Sequence, residues 1–129
     1  DVQRFGVEAS AAERQEAAEA VGSFIEGSAE KRWQPVCQSL SKAIRGSFEE
    51  AAVAQGDDGG CPQVLGQIAA RTPTYMPEDN MARAVGSLRV EGNTGYALYR
   101  GTDGLDYAIP VDREGGHWKV AAMHSLMVS

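Results

Sequence analysis

The residues of this chain best suited to chemistry are His124, Tyr99 and Tyr107. An imidazole and two phenols can move a proton on a bound substrate if an apolar pocket holds them together and tunes their pKa values. The alternation of apolar and polar residues that starts at Trp118 predicts one long last strand through Val128. Trp118, Val120, Ala122, His124 and Leu126 then share a face, and its aromatic and aliphatic content predicts that it points inward with His124 lining a pocket. Tyr107 shares a face with Leu105, Ile109 and Val111. Tyr99 shares one with Gly95 and Ala97, whose small side chains leave room for a ligand.

An inward His beside a Tyr is more often a hydrogen-bonded core pair than a catalytic one. The pattern also supplies no inward carboxylate: Asp106 falls opposite Tyr107, and Asp103, Asp112 and Glu114 belong to turns, where acids are solvated. An isomerase-type base is therefore missing. His117 and His124 stand seven residues apart on the expected last strand, so they project to opposite faces and cannot share a metal ion. Neither has a second His or Cys at ligand spacing, so no metal and no cofactor are expected. Ser125 sits in no nucleophile elbow. The Gly56 to Gly60 loop lacks the Lys and the strand-to-helix setting of a phosphate loop.

The two cysteines, Cys37 and Cys61, fall on separate helical patterns joined by a loop rich in Gly and Asp, which lets the helices come together. A Cys37–Cys61 disulfide would stabilise the fold by about 3 kcal/mol and would place the chain in an oxidising compartment. Two buried free thiols are the alternative.

The elements that must position these residues run helices first, then strands. Ser10-Ala11-Ala12-Glu13 has the form of a capping box, with Ser and Glu each satisfying a backbone N–H at a helix start. Ala17, Ala18, Val21, Phe24 and Ile25 then form one apolar stripe that stops at Gly27 and Ser28. Trp33 and Pro35 mark a bend. Val36, Cys37, Leu40, Ile44 and Phe48 predict a second helix over about 35–54, and Pro62 opens a third that Thr72-Pro73 ends before a loop over 73–80. From Ala82 the period becomes two. One strand turns at Gly92-Asn93, a second runs Thr94 to Arg100, Gly101 to Gly104 turn again, and a third runs Leu105 to Asp112. Gly115-Gly116 then delivers the last strand. Three N-terminal helices on a curved antiparallel sheet of about four strands make an α+β domain over 1–129, with 1–9 as a flexible tail.

At 129 residues the chain is one domain able to bury roughly 65% of the surface its unfolded form exposes. No apolar run approaches the roughly 20 residues needed to cross a bilayer. The net charge of −6, with basic residues scattered, argues against nucleic acid as a partner.

The helical first half, the Cys37 and Cys61 pair, Leu88-Arg89-Val90-Glu91-Gly92-Asn93-Thr94 and Arg113-Glu114-Gly115-Gly116-His117-Trp118-Lys119-Val120 together resemble the nuclear transport factor 2-like superfamily. More narrowly they resemble its small extracytoplasmic members in actinobacteria, secreted or lipid-anchored. The resemblance implies a bent sheet wrapped around helices into a cone with a central pocket, in a group that holds steroid isomerases, polyketide cyclases and many non-catalytic binding domains. Fold thus leaves function open. The chain opens at Asp1 without an initiator Met, so a signal segment outside it is expected.

Apolar residues also fall on the other sheet face: Met123 and Met127 opposite Trp118, Tyr96 and Leu98 opposite Tyr99. That face is the expected contact for a homodimer or a cell-envelope protein partner. The leading expectation is a non-catalytic extracytoplasmic domain that binds a small apolar ligand or such a partner. The alternative is an isomerase- or cyclase-type enzyme using His124 with Tyr99 or Tyr107.

Overall fold

A computed structural model describes residues 2–56, 58–71, 85–101 and 103–128. After a short 3-10 turn at Val2–Arg4 the elements are β1 (Val7–Glu8), α1 (Ala11–Ala29), α2 (Trp33–Ser39), α3 (Lys42–Ala54), α4 (Gly60–Arg71), β2 (Val85–Glu91), β3 (Thr94–Arg100), β4 (Asp106–Glu114), β5 (His117–Val120) and β6 (Leu126–Met127). The strands form one antiparallel sheet in the order β1-β2-β3-β4-β5, with β6 also on β4. The class is α+β. The described residues hold four α-helices where three were expected and six strands where about four were, two of them only two residues long. The Thr72-Pro73 stop, the 73–80 loop, the strand start at Ala82 and Thr102 of the second turn lie outside the described residues.

α1 begins where the cap was expected, with Ser10 Oγ accepting from Glu13 N–H. Only half of the capping box forms, because the Glu13 carboxylate turns to Arg113 and the Trp118 indole. Ala17, Val21, Phe24 and Ile25 are buried against the sheet as their spacing requires. Gly27 is required by packing: a Cβ there would stand 2.7 Å from Val36 Cγ2, so α1 and α2 approach as closely as they do only with glycine.

The single helix expected over 35–54 is interrupted. Leu40 is extended, fully buried, and bridges Val120, while Ser41 N–H donates to the Val120 carbonyl at 2.8 Å. Ser41 then caps α3, and the Glu114 carboxylate accepts from Lys42 N–H at 2.9 Å. Tertiary partners thus satisfy the first donors of a new helix, which a continuous helix would have left to its own turn.

Cys37 of α2 and Cys61 of α4 form the disulfide, with Cα atoms 6.2 Å apart and both residues buried. Residues 2–8 do not trail as a tail. Val7 and Glu8 pair with Val90 and Arg89, and the Arg89 guanidinium donates to the carbonyls of Phe5 and Gly6 at 2.9 Å. Among the described residues no helix is long and apolar enough to cross a membrane.

Candidate functional site

β3 and β4 pair without irregularity, so alternation holds along both strands. Gly95, Ala97, Tyr99, Tyr107, Ile109 and Val111 are all buried on the helix side. Tyr99 and Tyr107 face each other in register, their rings stacked with centroids 5.6 Å apart. Both hydroxyls are engaged: Tyr99 with Ser125 Oγ, Tyr107 donating to the Asp103 carboxylate. Burial pushes the Tyr99 phenol above its ordinary value of 10.0. The Tyr107 hydroxyl, and next the Leu105 N–H, hold Asp103 below the usual carboxylate range. Leu105 itself lies outside β4 and is exposed, so it does not share the Tyr107 face as expected.

The structure brings the two tyrosines together but does not place His124 on their face. The expected strand from Trp118 through Val128 ends at Val120. Val120 faces Val111, and continuing that register would set His124 against Tyr107; Met127 stands there instead, three residues later. An odd insertion reverses every face beyond it. His124 is consequently exposed, and Met123, expected to look away from the helices, packs against the core. Nor do His117 and His124 share a strand, since His117 opens β5 and His124 follows its end.

The outer sheet face carries an open recess. Tyr96 and Leu98 are half-buried there, with the Phe5 ring edge-on to Tyr96 at 5.1 Å. Ala108, between Leu98 and Leu126 in register, is fully buried although it turns outward. Beside Leu98 lies a notch of about 290 Å³ bounded by Gln3, Gly86, Ser87, Tyr99, Arg100 and Asp106. Its origin is local. The register of β2 on β3 shifts between Val85 and Ser87, which leaves Gly86 unpaired, and a Cβ at Gly86 would meet nothing within 4 Å. Arg100 and Asp106 close one rim as an exposed two-point ion pair at 2.9 and 3.3 Å, and the Arg100 hydrogen bond lowers the Asp106 pKa.

Sequence reasoning placed Leu98 and Tyr96 on this face but missed the notch. Gly86, an isolated glycine inside a strand pattern, was the available signal, because such a glycine often marks a bulge. Against known proteins, the chain matches no family model, no curated protein and no solved structure.

Proposed function

We propose that this protein is a non-catalytic binding domain that works outside the cytoplasm and grips an apolar group in the notch beside Leu98. The group belongs to a small ligand or to a cell-envelope partner lying on the outer sheet face. The notch carries the reading. At about 290 Å³ it falls just under the roughly 300–1,000 Å³ of sites that enclose drug-sized molecules. It therefore suits one ring or one branched side chain, with the Arg100–Asp106 pair at its rim to orient a polar tail.

Two further observations support this reading over a proton-shuttling enzyme. The hydroxyls of Tyr99 and Tyr107 are committed to Ser125 and Asp103, and His124 is exposed beyond the end of β5. The Cys37–Cys61 bond supports an oxidising location, since disulfides persist there and are rare in the cytosol. Helices before an antiparallel meander, gathered on one sheet face, support the nuclear transport factor 2-like relationship, and among the described residues no helix packs on the outer face.

The test is to fill the notch. Gly86→Phe places a ring where a Cβ meets open space, and 1-anilinonaphthalene-8-sulfonate serves as an apolar probe with an anionic tail. The native protein and Gly86→Ala should enhance its fluorescence, whereas Gly86→Phe should abolish the enhancement without lowering the melting temperature. Equal enhancement by Gly86→Phe, or none by the native protein, would overturn the reading.

A further inference from the structure

We propose that β6 pairs with the β6 of a second copy, so that two sheets join edge to edge into a dimer. Backbone hydrogen bonds give the first reason. Val128 N–H donates to the Asp106 carbonyl at 2.9 Å, so Val128 and, two residues before it, Leu126 turn their backbone groups toward β4. Met127 between them turns its N–H and C=O away, and among the described residues no strand lies on that side of β6. The edge is open: Met127 is 67% exposed and Leu126 52%. An exposed, unpaired edge is a template for another strand.

The surface around it is apolar. Among the described residues five large apolar side chains are exposed, and three of them, Leu105, Leu126 and Met127, lie at this corner, where β4 begins beside β6. Single exposed apolar residues are ordinary, whereas a cluster beside an unpaired edge marks a contact. The strand also matches itself. Antiparallel pairing about a two-fold axis through Met127 sets Met127 against Met127 and Leu126 against Val128, apolar against apolar throughout. An axis through Leu126 would instead set Met127 against Ser125 and Val128 against His124. Charge does not oppose the contact, although each chain carries −6: Asp106, bonded to Val128, is paired with Arg100, and Asp103 receives the Tyr107 hydroxyl. The axis stands normal to the sheet, so both notches beside Leu98 open to the same side of the dimer, although the pairing does not depend on what they bind. With only residues 126–128 of each copy in the ladder the association is weak, mostly dissociated at about 10 μM and mostly dimeric at about 1 mM.

Sedimentation equilibrium over that range, with Met127→Pro as the blocking variant, tests the proposal. Proline removes the outward N–H without touching the β4 ladder. This variant should stay monomeric at about 1 mM, with an unchanged melting temperature at about 10 μM. Cross-linking reads the register. Cys37 and Cys61 are joined, so one added cysteine supplies the single thiol. In Met127→Cys the paired Cα atoms would stand about 5.5 Å apart, within reach of a disulfide, whereas in Leu126→Cys they lie on a diagonal at about 7–8 Å. In a glutathione buffer Met127→Cys should form covalent dimer about tenfold faster than Leu126→Cys. A native chain that stays monomeric at every concentration would overturn the proposal, as would association undiminished in a folded Met127→Pro. Equal cross-linking of the two cysteine variants would place any contact elsewhere and overturn it as well.

Discussion

Along one edge of β4, Val111 to Glu114 pair with β5, while Tyr107 and Ala108 pair with β6. In the β5 half the pleat decides everything. Trp118 and Val120 are buried, His117 is exposed, and Arg113 lies over the Trp118 ring at 4.7 Å while Glu13 receives both groups. In the β6 half the three inserted residues disconnect side-chain direction from sequence parity. Leu126 and Met127 are both exposed, and the segment is tied down by the Ser125 hydroxyl on Tyr99 and by Val128 N–H on the Asp106 carbonyl. A strand edge held by packing should therefore respond to mutation unlike one held by a few hydrogen bonds.

The largest contrast is expected from truncation. Trp118→Ala removes a buried indole together with its contacts to Arg113 and Glu13, and should destabilise the protein by about 3–5 kcal/mol. Met127→Ala, at a residue 67% exposed, should change stability by no more than about 0.5 kcal/mol. Urea unfolding of both variants measures the difference, and comparable losses would mean that the two halves are held alike. A smaller effect is expected where the β6 half does have a tether. Tyr99→Phe and Ser125→Ala should each cost about 1 kcal/mol. The double variant should cost little more than either, since both remove the same bond.

The same contrast explains what could be read from the residues. Helix α1, the Gly92-Asn93 turn, β3 and, Leu105 apart, the inward row on β3 and β4 follow from local period and capping, and they stand where periodicity put them. The disulfide was legible as a pairing of two helices, with free thiols as the alternative, and the bond is formed. What escaped was set by tertiary partners. No local rule separates Leu40 from a helical residue, since its extended backbone exists because Val120 offers a ladder position. Ala121 to Ser125, by contrast, break the alternation with three apolar residues followed by two polar ones, and that break marks where the register slips. The candidate site suffered most from that slip. Tyr99 and Tyr107 lie before it and stack on the helix side of the sheet, whereas His124 lies after it and is exposed.

The finest test of the contrast is electrostatic and turns on two aspartates near opposite ends of β4. Asp103 precedes the β6 half, and the Tyr107 hydroxyl depresses its pKa below the ordinary 3.8. Its contribution to stability is thus present above pH 3.8 and lost as pH falls through the lower folded value. Asp112 sits in the β5 half, opposite Lys119, and burial first, then the Glu114 charge, raises its pKa above 3.8. Its sign is reversed: ionisation works against the fold, so its relative stabilisation is present below pH 3.8 and lost as pH rises through the folded value. Asp103→Asn should therefore lower the urea midpoint more at pH 7 than at pH 3. Asp112→Asn should raise it at pH 7 relative to its effect at pH 3. Shifts of the same sign for both variants would show that the packed half does not desolvate its acid, and that the two halves of the edge differ in register alone.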